Sequence, residues 1–254
     1  MSNLDEVVDF KSINNSCKSC HSAKFCLVQN LKDKDLMDFN SIVKRRKPLQ
    51  RGERLFQSGD VFHSVYIVHS GSVKITIESS DGEQQITGFY FPGDLVGVDG
   101  FENSSHVYTV ETLDTSSFCE ISVKQFEAAA KKIPLLQQQF FKLISREIRH
   151  EQELMLLLGR MDSRRRLASF LVAMSSQLQA QGYSSHSINL SMTRHDIANY
   201  LGLAIETVSR LLTTFQNNDV LDVMRRNITI KDQRKLHGIA ENRPEEECML
   251  EKSA

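Results

Sequence analysis

The chain has 254 residues, 40% of them hydrophobic and 25% charged, with a net charge of −1; this is the composition of a soluble globular protein with room for two small cores. The start, "MSNLDEVVDFKS", carries acidic residues and no apolar run, and no stretch approaches the roughly 20 apolar residues of a bilayer span, so neither export nor membrane insertion is expected and a cytoplasmic location is. Charge is uneven: from Arg160 to Lys235 there are eleven Lys/Arg against six Asp/Glu, the footprint of a nucleic-acid surface.

The first feature in chain order is "CKSCHSAKFC", residues 17–26, which holds three of the five cysteines. Stable disulfides are rare in a cytoplasm, so the group points to metal or redox chemistry. Four chemistries compete. "CKSCH" is a C-x-x-C-H haem-attachment pattern, but it is short and the chain lacks an export signal. Zinc takes four thiolates at about 2.3 Å, commonly supplied as two close pairs. An iron–sulfur cluster also takes four thiolates. A disulfide switch needs only exposed neighbouring thiols. Spacing alone leaves zinc and iron–sulfur close. His21 has no second histidine at ligand spacing and is expected to face solvent. Cys248, in the tail "RPEEECMLEKSA", reads as a dispensable surface thiol.

Next, Leu36, Phe39, Ile42 and Val43 recur at helical spacing and predict a short amphipathic helix. From about residue 48 to 123 the period becomes two. Val73, Ile75 and Ile77 point one way, and glycines at 52, 59, 71, 82 and 93 mark turns, which predicts an antiparallel sandwich or barrel. Cys119 lies in this region on a face with Ile121 and Val123. It is either a fourth ligand or an inert core thiol. His63, His69 and His106 are scattered without the His-x-His spacing of a metal cupin, so no enzyme is expected. No arginine occurs between Arg54 and Arg146, which argues against a cyclic nucleotide, whose buried phosphate needs a cation.

A long helix follows. Phe141, Ile144, Ile148, Glu151, Met155 and Leu158 step by 3, 4, 3, 4 and 3, a heptad seam for a second copy of the chain. Glu151 breaks the seam and would meet its own copy, so charge repulsion makes the dimer conditional. In "MTRHDIANYLGLAIETVSRLLTTFQ", Thr193 and Asp196 form a capping box, Ile197, Tyr200 and Leu201 an apolar stripe, and Gly202 a helix stop, with small Ala198 one turn before it. A second helix is expected to turn Ile205, Val208, Leu211, Leu212 and Phe215 inward. Together these are a helix-turn-helix, and "VLDVMRRNITIKD" adds two strands around Arg225, Arg226 and Asn227 as a wing. Glu206, Ser209 and Arg210 share the outward face of the second helix. Arg210 can take guanine O6 and N7, and Glu206 can accept from cytosine N4–H. Thr193 and Arg194 complete the expected DNA-contacting set.

"CKSC" with Cys26, "YIVHSGSVK", "GEQQITGFYFPGDLVG", "SFCEI", "MTRHDIANYLGL" and "ETVSRLL" together resemble the FNR (fumarate and nitrate reduction) regulators of the catabolite-activator superfamily, from Cys17 to about Ile230. The resemblance implies an α+β fold: an N-terminal antiparallel β-roll, a cyclic-nucleotide-binding-like jelly roll, then a long dimerisation helix and a C-terminal winged helix-turn-helix. The implied division is a cysteine-rich segment 1–30, a sensor roll 31–132, a dimerisation helix 133–162, a DNA-binding domain 163–238 and a charged tail 239–254. It also implies a [4Fe–4S] cluster in each subunit on Cys17, Cys20, Cys26 and Cys119. Loss of that cluster to oxygen would weaken the homodimer and its binding to a TTGAT-like inverted repeat. RNA polymerase would be met through loops near Ser70–Gly71 and Asp81–Glu83, in control of anaerobic respiration genes. The family usually has aspartate where Glu151 stands. The rivals are a zinc- or thiol-based redox regulator and a cyclic-nucleotide-responsive one on the same scaffold.

Overall fold

A computed structural model describes residues 17–243; the acidic start and Cys248 lie outside the described residues. Two antiparallel four-stranded sheets form the β-roll. One has the order β1 (Lys44–Arg45), β8 (Ser117–Ser122), β3 (Ser64–Ser70), β6 (Leu95–Val96). The other has β2 (Arg54–Phe56), β7 (Thr109–Thr112), β4 (Val73–Glu78), β5 (Gln84–Tyr90), leaving β5 at an edge. Gly71 makes the β3–β4 turn at φ +81°, where a Cβ would stand 2.3 Å from the Ser116 hydroxyl, so only glycine fits.

Strand β3 serves two cores because its side chains alternate. Tyr66 and Val68 join Phe56, Val73, Ile75, Tyr90, Val110 and Phe118 inside the roll. Val65 and Ile67 face outward, into a second core with Leu27, Val28, Phe39, Ile121, Phe126, Leu136 and Phe140. That second core gathers α1 (Asp33–Ile42), α3 (Val123–Lys132) and the long α4 (Pro134–Arg160) onto the roll. Between β6 and β7 lies the one-turn α2 (Gly100–Asn103). Ile77 departs from the expected inward face and is 43% exposed. The neighbouring β7 pairs with β4 only as far as Thr76, so nothing covers the next residue.

The third core lies in the C-terminal domain: α5 (Ser163–Ala180), α6 (Arg194–Leu201), α7 (Ile205–Asn217), α8 (Gln233–Glu241) and a sheet ordered β10 (Leu221–Met224), β11 (Asn227–Ile230), β9 (Ser187–Asn189). Strand β9 has no counterpart in the sequence reading, because three residues are too few to show a period. Along α4 the expected seam divides. Phe141, Ile148 and Met155 are 58%, 50% and 74% exposed, and Glu151 is exposed with them. Ile144 and Leu158 are instead half-buried against their own chain's cores. A heptad marks apolar positions without saying whether the roll or a partner covers them.

Candidate functional site

The helix-turn-helix is built from its caps inward. The Thr193 hydroxyl accepts from the Asp196 N–H at 3.1 Å, and the Asp196 carboxylate accepts from the Thr193 N–H at 2.8 Å, a complete capping box. Gly202 ends α6 in the left-handed conformation, φ 59°. Val208, Leu212 and Phe215 bury one face of α7, with Leu211 half-buried beside them. Ile205, expected inside, is 40% exposed, since at the first position of α7 its side chain leans back past the edge of the core. Glu206, Ser209 and Arg210 are all exposed on the other face. Arg225 turns the wing at φ 57°, and Arg225, Arg226 and Asn227 are exposed. Arg194 donates to the Arg225 carbonyl at 3.3 Å, tying α6 to the wing, and burial lowers its pKa. Thr193 and Arg194 thus serve the local fold, beside the face formed by the other three.

At the opposite end of the molecule two short 3₁₀ turns, Cys17–Ser19 and His21–Lys24, shape the cysteine segment. The Cys17 N–H donates to Asn40 Oδ1 at 3.2 Å. Phe25 lies against Gly93 of the roll, where an added Cβ would stand 3.1 Å from it. On β8 the pleat sends Phe118 into the roll and Cys119 outward with Ile121, into the core shared by Cys17, Leu27 and Val28. Cys17, Cys20, Cys26 and Cys119 are all free thiols. Burial pushes Cys26 up to about 12 and Cys119 to about 11, with the neighbouring cysteines adding to both, and it raises Cys17 as well. Arg45, directly across from Cys119 in the β1–β8 register, opposes that rise at Cys17 and Cys119. His21 is exposed.

Two family models match the chain, a cyclic nucleotide-binding domain over residues 46–132 and a Crp-like helix-turn-helix domain over 165–239. The transcriptional activator protein Anr of Pseudomonas protegens is 42% identical over 238 residues, 93% of this chain and 98% of that protein. The fumarate and nitrate reduction regulatory protein of Yersinia pestis is 38% identical, over 89% of this chain and 90% of its own length. The chain belongs to the FNR/CRP family of transcription regulators. The structure of FixK2 from Bradyrhizobium japonicum superposes with a TM-score of 0.71 and 29% identity, covering 78% of this chain and 97% of that one. The regulator is therefore a DNA-binding protein and not an enzyme.

Two features of the regulator escape sequence reading. The Arg166 guanidinium donates to the carbonyls of Leu158 and Met161 at the end of α4, and to that of Leu201 at the end of α6, each at 2.9 Å. One cation thus joins two helix C-termini, where the macrodipoles favour it. The second is the shared core that sets the cysteine segment against α4. Neither has a local signal, since both join residues far apart in the chain.

Proposed function

We propose that the regulator is an oxygen-responsive global transcription factor that binds an inverted-repeat DNA site as a homodimer while a [4Fe–4S] cluster is intact, and so controls genes of anaerobic respiration. The observation that carries this reading is the meeting of cysteines from two parts of the chain in the core that also holds α4. Four thiols, three on one short segment and one on a strand, are a fitting donor set for the cluster. Among the described residues no group of three or more His, Cys, Asp or Glu side chains is arranged around a single metal ion. A wider donor set suits a four-cornered body better than one zinc.

When bound, the cluster supplies an oxygen-labile cross-link between residues 17–26 and β8. The chain's own residues do the rest. Leu27 and Val28 pack the ligand segment into the core of Leu136 and Phe140, so ordering the segment bears on the position of α4. Phe141, Ile148 and Met155 offer their exposed faces to a second copy, each worth about 1.5–3 kcal/mol when fully buried. Glu151 on the same helix opposes that pairing. Arg210 takes guanine O6 and N7, Glu206 accepts from a cytosine amine, and Ser209 fits between them on a TTGAT-like half-site. The exposed loops at Ser70 and Asp81–Glu83 are offered to RNA polymerase. No cyclic nucleotide is needed: the roll is filled by Phe56, Tyr66, Tyr90 and Phe118, and His106 stacks on Phe56 at 3.7 Å.

Purification without oxygen should yield about four irons and four acid-labile sulfides per chain, and Cys119→Ser should lower both together. Zinc without sulfide would overturn the reading.

A further inference from the structure

The first helix of the reading head is clamped to the sensor roll at three points, none of which belongs to the base-reading face. Strand β5 is the free edge of its sheet, with a row of backbone groups that no further strand pairs. The Asn199 side chain takes the place of that strand. Its Oδ1 accepts from the Ile86 N–H at 2.6 Å, and its Nδ2 donates to the Gln84 carbonyl at 2.8 Å. A primary amide presents one donor and one acceptor with the geometry of a peptide group, so it can pair with a strand edge as a strand would. Gln85 Nε2 returns a bond to the Asn199 carbonyl at 2.7 Å.

The other two points lie along the same side of the head. Lys74 of β4 reaches Asp196 at 3.0 Å and Glu111 at 3.2 Å, with the lysine only 18% and the aspartate 7% exposed. Ser72 donates to Ser191 at 2.7 Å. Asp196 is also the capping residue of α6, so the ion pair grips the helix at its start while Asn199 grips its last turn. Arg166 already pins the head to the end of α4. A body held at one point can swivel, whereas one held at a second, distant point has a fixed orientation.

We infer that Asn199, with Lys74, sets the orientation of the reading head and so the half-site spacing that the regulator accepts. In a two-fold dimer the separation of the two recognition helices fixes the spacing of the half-sites. The inference rests on the proposed homodimer. Asn199 acts as a positioning residue: it leaves Glu206, Ser209 and Arg210 free and governs where they are held.

The test uses full-length, cluster-loaded protein and fluorescent duplexes. One set carries inverted repeats whose half-sites are moved apart or together by single base pairs; another carries single base changes at native spacing. The unmodified chain should bind native spacing best. Asn199→Ala should bind that duplex about tenfold more weakly, equivalent to about 1.4 kcal/mol, and should lose most of its discrimination against altered spacing. Its discrimination against base changes should be unchanged. Lys74→Met, placed in the roll and far from any base, should relax spacing in the same way, and it carries the test if Asn199→Ala fails to fold. Asn199→Asp, which loses the donor to Gln84, should behave like the alanine variant. Variants that bind more weakly while keeping the full spacing preference would overturn the inference. If the unmodified chain binds single half-sites as tightly as repeats, the homodimer reading falls first, and the inference with it.

Discussion

Asp196 shows how much one side chain can carry. Its carboxylate caps α6 through Thr193 and grips Lys74 of the roll. Burial works against its charge, but the Thr193 hydrogen bonds and Lys74 outweigh it, and its pKa falls below the usual range. Asp94 and Glu147 show the opposite balance. Burial comes first for both, and it holds Asp94 near 6 and Glu147 near 7. Both therefore bind a proton more tightly in the folded chain than in the unfolded one, where carboxyls titrate near about 4. The stability they contribute is fully present below about pH 4 and is lost as pH rises through their folded values of about 6 and 7. Glu147→Gln keeps a neutral acceptor for the Tyr90 hydroxyl, its partner in the fold. The variant should show a flatter decline of Tm between about pH 5 and 8 than the unmodified protein. Equal slopes would mean that Glu147 does not titrate in this window. The capping role of Asp196 was legible in "TRHD", because caps act over three residues. Its partner Lys74, 122 residues away, was not.

At the scale of elements, the two features with a local period were readable and the features made by packing were not. The recognition helix could be placed from Gly202 and the stripe of Val208, Leu212 and Phe215, since a helix shows its buried face in its own sequence. Helix α4 could be read only in part. Its heptad is real as a pattern, but Ile144 and Leu158 go to their own chain and Phe141, Ile148 and Met155 remain outward. The clamp of Asn199 on Ile86 spans 113 residues and has no periodic signature. Glu151 stands on the exposed stripe, four residues from Glu147, whose own proton it helps to hold. Replacing it with alanine should strengthen self-association of the metal-free protein severalfold in sedimentation equilibrium. An unchanged association constant would remove charge repulsion from the account of the seam.

Across the whole molecule, three apolar cores are joined in series. The cysteine segment shares its core with the outer face of the roll and with α4. The end of α4 is joined by Arg166 to the turn of the reading head. The head is held to the roll by Lys74 and Asn199. The architecture was legible because the order of a period-two region, a long heptad helix and a capped helix-turn-helix is itself distinctive. The cluster assignment came from resemblance, since thiol spacing leaves zinc and iron–sulfur side by side until the neighbourhood of Cys119 is known. The central claim is that cluster, dimer and reading head act as one unit. Its most direct test is to follow cluster absorbance, the dimer fraction and binding to a TTGAT-like inverted repeat in one oxygen-free sample as air is admitted. The account predicts that all three decay together. Binding that stays equally tight in air and without iron would contradict it.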